Sequence, residues 1–263
     1  MGVIDSFTMK SWPEHFEYME RFRVPDLVGA GTARVLFVGD APSRDEVSSE
    51  DIGERSPLRG VSGRQWWKEL FRILGESPAV NPIPGRAQLQ ALCDRLKIQI
   101  IHAVQFPIDP KIKNHFGDAA SPESYLGFAK GSGPVGYKAV FKNSKMEGPV
   151  GQAIQDLVKR LSLLDAEQIV CIGQDSKWFI DQALVLLPEN SPLRKNPVIQ
   201  VPHPSSWLRN EIYRRRALEA LYPLLGTPVG HDGWKEEPAA WVRQGSGPMV
   251  RGGLRVIRGG TPT

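Results

Sequence analysis

The chain reads as an α/β protein, a three-layer α/β/α arrangement around a central, mostly parallel four-stranded sheet. Short apolar runs of strand length, at 34–38, 98–104, 168–172 and 198–201, alternate with longer stretches whose apolar residues recur at helical spacing. Strands that alternate with helices make parallel sheets covered on both faces, and such sheets bind ligands at the carboxyl ends of their strands. The most unusual segments of this sequence follow Val38, Val104 and Val201, at three of those ends.

Each element has its own signal. Within 1–32, Trp12, Phe16, Tyr18, Met19 and Phe22 form an aromatic amphipathic stretch expected to lie as a helix against the sheet, ending in the turn Gly29-Ala30-Gly31. Arg34-Val35-Leu36-Phe37-Val38 is a buried strand stopped by Gly39. Trp66, Leu70, Phe71 and Leu74 share a helical face over 63–74, with Gly75 as the stop. Leu89, Leu92 and Leu96 predict a second helix over 87–96, before the strand at 98–104. The stretch 107–150 is rich in Gly, Pro, Ser and Lys. A segment of that length without periodicity is uncommon inside a domain and tends to carry binding or lid roles, so it reads as an insertion on the ligand side. Ile154, Leu157, Val158 and Leu161 mark the next helix, followed by the strand at 168–172, a helix over 178–187, the last strand at 198–201 and a basic, then apolar helix over 211–225. The expected organisation is one domain over 1–228. Beyond it, 229–263 is a tail with Gly245, Gly247, Gly252, Gly253, Gly259 and Gly260 among Arg243, Arg251, Arg255 and Arg258, expected to be flexible.

Composition excludes some classes. With 41% hydrophobic and 24% charged residues the chain is neither disordered nor fibrous. No run of about eighteen apolar residues occurs and 1–23 lacks an apolar core, so no membrane association, no export and a cytoplasmic location are expected. Two cysteines, Cys93 and Cys171, are too few for a disulfide framework or a thiolate cage, and no metal or other cofactor is expected. The net charge of +4 suits a polyanionic partner but decides nothing alone.

Three constellations could carry chemistry. Gly39-Asp40-Ala41-Pro42-Ser43 sets an acid at a strand end, where it could orient water and stabilise a developing cation; Asp40 reads equally well as a turn cap. Ser56-Pro57-Leu58-Arg59-Gly60-Val61-Ser62-Gly63 is a glycine-spaced loop that opens a helix, whose N–H groups suit a phosphate or a base carbonyl, or it is a plain helix start. His203-Pro204-Ser205-Ser206-Trp207-Leu208-Arg209 offers an imidazole, small hydroxyls for phosphate, large apolar side chains and a run of arginines that continues at Arg214, Arg215 and Arg216. Wedges beside phosphate binders are what base extrusion requires; the competing reading is a helix cap with a solvated arginine face.

In this order the segments resemble the uracil-DNA glycosylase superfamily, above all its thermophile-type fourth family. That family has a Gly-Glu-Ala-Pro-Gly water-activating motif, a Pro-Phe-Val-Gly-x-x-Gly pocket loop, a strand ending in a base-reading Asn and a late His-Pro clamp. Here stand Gly39-Asp40-Ala41-Pro42, then Pro57-Leu58-Arg59-Gly60-Val61-Ser62-Gly63, His102 near the Asn position, Ile169-Val170-Cys171-Ile172-Gly173, and His203-Pro204-Ser205-Ser206. The clamp is also similar to that of single-strand-selective glycosylases. The resemblance covers roughly 33–225, with a gap at the insertion.

The resemblance implies Asp40 and His203 as catalytic groups and Gly39, Ala41, Leu58 and His102 as the base pocket. It implies DNA contacts from Pro42, Ser43, Gly60, Ser62, Gly63, Pro204, Ser205, Ser206, Trp207, Leu208 and Arg209, with Trp207 or Leu208 filling the gap left by a flipped base. The departures bear on substrate. The family's iron–sulfur cysteines are missing; Leu58 replaces a stacking ring worth about 1–3 kcal/mol per base; and His102 cannot copy an amide's paired contact. Together they favour a monofunctional DNA N-glycosylase for a modified pyrimidine such as glucosylated hydroxymethylcytosine in phage DNA, an antiviral role. Uracil excision in DNA repair, a DNA-binding module without catalysis, and a nucleoside hydrolase are the alternatives. The expected partner is single- or double-stranded DNA, met by a monomer.

Overall fold

The computed structural model describes residues 21–74, 84–107, 149–207 and 209–225, all within one compact unit, Met1–Thr227. Strands β1 (Ala33–Gly39), β2 (Ile98–His102), β3 (Ala166–Ile172) and β4 (Val198–Val201) form one sheet in the order β2-β1-β3-β4. Every pairing is parallel. The described helices are α1 (Val61–Ile73), α2 (Arg86–Leu96), α3 (Pro149–Leu161), α4 (Gln174–Leu186), the single turn α5 (Pro204–Trp207) and α6 (Glu211–Leu225).

The strands follow from alternation within an apolar run. Leu36 and Val38 of β1, Ile101 of β2, and Ile169 and Cys171 of β3 face one side, with Val150, Ile154, Leu157 and Leu161 of α3 and Phe179, Ile180 and Ala183 of α4. Val35 and Phe37, Ile98 and Ile100, and Val170 and Ile172 face the other, against Trp66, Trp67 and Leu70 of α1, Leu89 and Cys93 of α2, and Leu218 and Leu221 of α6. Three layers result. Each fully buried Leu, Ile or Phe stabilises this arrangement by about 1.5–3 kcal/mol, which holds the strand ends rigid. Both cysteines belong to this packing, and burial pushes their thiols up to about 12.

The chain leaves β1 for β2 on one side and returns past β1 to β3 and β4 on the other, so the direction of winding reverses at β1. In sheets of this kind the loops after the two strands at such a point, here β1 and β3, diverge, and the ligand crevice lies between them at the carboxyl end.

Two boundaries differ from the sequence expectation. β2 ends at His102 rather than at 104, because the successive N–H groups of Ala103 and Val104 both turn back to β1, onto the carbonyls of Gly39 (2.8 Å) and Asp40 (3.0 Å). In a pleated strand neighbouring N–H groups point opposite ways, so the chain must bend here. α4 starts at Gln174 instead of 178, since Gly173, at φ 102°, turns the strand directly into the helix. Residues 1–20, with Trp12, Phe16, Tyr18 and Met19, most of the 107–150 insertion, and the 229–263 tail lie outside the described residues. Among the described residues no helix is long and apolar enough to cross a membrane.

Candidate active site

Three strand ends deliver the loops of interest to one edge of the sheet: the long connection after β1 supplies two, and those after β3 and β4 supply one each. The first carries Gly39 and Asp40. Gly39 lies in register with His102, and a side chain there would run into the ring, its Cβ only 2.7 Å from Nδ1. Glycine is required by this approach of β1 to the imidazole. Asp40 is half-buried, and its Oδ1 accepts the N–H of Ala41 at 2.8 Å. The carboxylate is thus held by the backbone of its own turn, in line with the turn-cap reading, through one oxygen.

Loop one is fastened to loop two by Glu46, which the sequence reading did not single out. Its buried carboxylate accepts the Ser43 N–H (2.6 Å), the Arg59 N–H (3.3 Å) and a bond from His102 Nε2 (2.9 Å). Burial alone would raise the Glu46 carboxyl, but the charge and hydrogen bond of His102, with the bonds from Ser43, outweigh it and hold the group below its ordinary value. Burial likewise pushes His102 down, yet Glu46, with Asp40 and Asp26 behind it, holds the imidazole above its ordinary value. The pair is a buried imidazole set against a buried carboxylate, 2.9 Å apart. His102 is 2% exposed, and its Nδ1 is buried with no hydrogen-bond partner. Below it, Arg160 binds the carbonyls of His102 (2.8 Å) and Ala103 (2.9 Å), so the end of β2 is tied down.

The second loop is tight. Leu58 adopts φ 62°, a left-handed conformation that strains a branched residue. Its side chain is buried near Gly39 and its carbonyl lies against Gly63, where a Cβ would sit 1.8 Å from the oxygen. Gly60 is packed on Ser43 in the same way. Gly39, Leu58 and His102 thus lie together, whereas Gly60 and Gly63 face protein rather than open solvent. Ala41 and Pro42 lie in the first loop and Ser62 in the first turn of α1, Pro42 buried and the others half-buried.

The fourth loop brings in His203. Its Nδ1 meets the Ser205 hydroxyl at 2.8 Å and the Ser205 N–H at 3.3 Å. Ser205 so offers the ring an acceptor and a donor, which satisfies Nδ1 in either protonation state and leaves Nε2 for a ligand. Ser206 uses its hydroxyl on the His203 carbonyl (2.6 Å).

Trp207 corrects an expectation. It is 3% exposed, donates its indole N–H to Pro202 at 3.0 Å and packs on Trp66 with ring centroids 6.0 Å apart. The ring fills the core beneath α5 and cannot act as a wedge from there; Pro204 is buried beside it. Leu208, the other expected wedge, lies outside the described residues. Arg209 is exposed. Arg214, read as one of a run of arginines beside phosphate binders or else as part of a solvated face, instead holds the buried Glu69 of α1 through Nε (2.9 Å) and Nη2 (3.2 Å).

The third loop contributes a group missed from sequence. Asp175, in the first turn of α4, is half-buried with one carboxylate oxygen wholly buried and unpartnered. Its pKa is raised to about 6 by burial and by Asp40, and His203 pulls it the other way. Asp40 follows β1 and His203 follows β4, and the start of that last loop lies close to Gly173 at the end of β3, where a Cβ would lie 3.4 Å from that of His203. Among the described residues no cluster of side chains suited to a metal ion occurs.

No family model matches the sequence, and no curated protein matches it. Among solved structures the chain is similar to a solution NMR structure named as a "putative Uracil DNA glycosylase" from Methanosarcina acetivorans. The identity is 9%, the TM-score 0.43, and the match covers 78% of this chain and 99% of that one. A likeness of that size decides nothing about activity.

Proposed function

We propose that this chain is a monofunctional DNA N-glycosylase that hydrolyses the bond between a flipped-out base and its sugar. The observation that supports the reading is that Asp40 directly follows β1 and His203 directly follows β4, at the same carboxyl edge of one parallel sheet whose winding reverses at β1.

As the C1′–N bond lengthens, positive charge develops on the sugar and negative charge on the base. Asp40 stabilises the first and positions a water on the far face of C1′. Oxygen bonds to carbon, the water's proton passes to solvent, and the bond electrons leave with the base. His203, through Nε2, stabilises the departing anion. A fixed group aimed at charge that exists only in the transition state accelerates the step, and both groups are fixed: Asp40 by Ala41, His203 by Ser205. Exposed Ser43, Ser205 and Arg209 border the same edge and suit a phosphate backbone.

A modified pyrimidine, such as glucosylated hydroxymethylcytosine, fits better than uracil. Leu58 gives up the stacking a flat uracil would use, and His102, with Nε2 committed to Glu46, lacks an amide's pairing pattern. The test incubates the protein with duplexes and single strands carrying uracil, hypoxanthine or glucosylated hydroxymethylcytosine, then cleaves abasic sites. Release of the glucosylated base is expected. Release of uracil alone would overturn the substrate assignment, and binding without release from any substrate would favour a DNA-binding module.

A further inference from the structure

We propose that the start of α6 is a stacking platform for an unpaired nucleotide of bound DNA, with Tyr213 and Ile212 as its apolar surface and Arg209 and Arg216 as its cations. The platform rests on the glycosylase reading for its partner and adds to it a surface outside the three motifs.

Exposed apolar side chains lie at both ends of the sheet. Ile212 is 60% and Tyr213 42% exposed at the start of α6, near the carboxyl edge, while Leu163, after α3, and Val185, at the end of α4, lie at the amino edge. A single exposed hydrophobe is common and needs no explanation. Tyr213 differs in kind. Among the described residues it is the one aromatic side chain that is exposed rather than buried or half-buried, and it follows the loop that carries His203. Trp207, the ring expected to meet DNA, is instead used up in the core.

The local chain fixes where this ring stands. α6 runs from the carboxyl edge, where it follows β4 and α5, to the amino edge, where the Leu224 carbonyl accepts from Arg34 of β1 at 3.1 Å. Backbone bonds step from His203 to Tyr213: the Ser206 N–H donates to the His203 carbonyl (2.9 Å), the Asn210 N–H to Ser206 (3.0 Å) and the Tyr213 N–H to Asn210 (3.1 Å). The Asn210 side chain accepts the Ile212 N–H at 2.9 Å and so caps the helix. Arg214 pins the same turns to buried Glu69 of α1. A surface held in place this way loses little freedom when a ligand settles on it.

The chemistry of the face selects the ligand. At 3.6 residues per turn Ile212, Tyr213 and Arg216 fall within an arc of about 100°, and all three are exposed, as is Arg209 in the turn before the helix. The acid at the helix start, Glu211, is paired with Arg214 at 2.8 Å, and Glu219 lies on a later turn towards the amino edge. Cations for phosphates beside an aromatic face for a base are the combination that holds single-stranded nucleic acid. A paired and stacked base keeps its faces covered, so the ring takes a nucleotide that is unpaired.

The test measures binding of the full chain to a fluorescein-labelled single-stranded oligothymidylate by anisotropy over a salt series. Tyr213→Ala should weaken binding by roughly 5- to 100-fold, the loss of one stacked base, and leave the salt slope unchanged because the ring carries no charge. Tyr213→Phe, which keeps the ring face, should bind as the unmodified protein does, and so should Leu163→Ala at the opposite end of the sheet. Urea unfolding should be the same for all, since both positions are exposed. An oligothymidylate carrying one 5-iodouracil should crosslink to Tyr213 under ultraviolet light, as mapped by mass spectrometry. Unchanged affinity in Tyr213→Ala, an equal loss in Leu163→Ala, or a loss confined to fully paired duplex would each overturn the platform, even for a protein that releases a base. If Tyr213→Ala loses the oligothymidylate while the unmodified protein releases no base from any substrate, the platform stands and the glycosylase reading fails.

Discussion

Two sets of acids and imidazoles stand at the carboxyl end of one sheet, and their surroundings differ. Glu46 and His102 are 5% and 2% exposed, joined at 2.9 Å, with the carboxylate's remaining capacity filled by backbone N–H groups of two loops. Asp40, Asp175 and His203 use the same residue types, but they are half-buried, held by short-range contacts to their own loops, and in Asp175 incompletely partnered. The Glu46 carboxylate is buried and fully engaged, whereas Asp40, Asp175 and His203 keep part of their surface accessible. What separates the two carboxylates is how fully they are partnered: Glu46 accepts from two backbone N–H groups and an imidazole, Asp40 from its own turn.

The largest effect that would break this contrast comes from Glu46→Ala. Removing one partner of a buried ion pair leaves the other charge uncompensated and should cost about 3–5 kcal/mol, measured by urea unfolding. The pH dependence carries a sign. Glu46, lowered from 4.5, stabilises the fold above that value and loses the contribution as pH falls below it; His102, raised from 6.5, stabilises below that value and loses it as pH climbs past it. The pair therefore contributes most between about 4.5 and 6.5, and the variant should lack that maximum. A loss under about 1 kcal/mol, typical of surface pairs, would put Glu46 in the wrong class. Next in size is Asp40→Asn. The amide can still accept the Ala41 N–H, so fold and duplex affinity should persist while single-turnover base release falls by about 10²–10³. Equal loss of binding and rate would make Asp40 a loop support like Glu46.

The strands were legible because buried parallel strands are continuous apolar runs, and β1 and β4 begin and end almost where 34–38 and 198–201 suggested. Asp175 was not, because the first turn of α4, Gln174-Asp175-Ser176, is polar and joins no apolar periodicity. Its position depends on a glycine turn whose geometry a lone Gly173 does not announce. For Glu46 a signal existed. Ser43 with Glu46 is a capping box, readable at its spacing. That signal predicts a local bond, and nothing in it reveals that the same carboxylate holds an imidazole 56 residues onward. Trp207 was misjudged for a related reason. A tryptophan after His-Pro-Ser-Ser suits a wedge or a core residue equally, and the choice was made by Trp66, which comes from a different helix and offers a ring to pack on.

The smallest expected effect tests the contrast among arginines. Arg209 is exposed at the crevice edge, whereas Arg214 grips buried Glu69 between α1 and α6. A surface cation that meets one phosphate releases about one counterion, so Arg209→Ala should weaken duplex binding a few-fold across all sequences and reduce the salt slope by about 1, with unfolding unchanged. Arg214→Ala should do the reverse: stability falls because Glu69 keeps its charge without its partner, while the salt slope stays as it was. Fluorescence anisotropy over a salt series, beside urea unfolding, separates the two. If Arg209→Ala left the slope intact, DNA would not cross this edge of the sheet. The exposed hydroxyls of Ser43 and Ser205 would then lose their assignment to the backbone with it, since the same approach of the duplex is needed to reach all three.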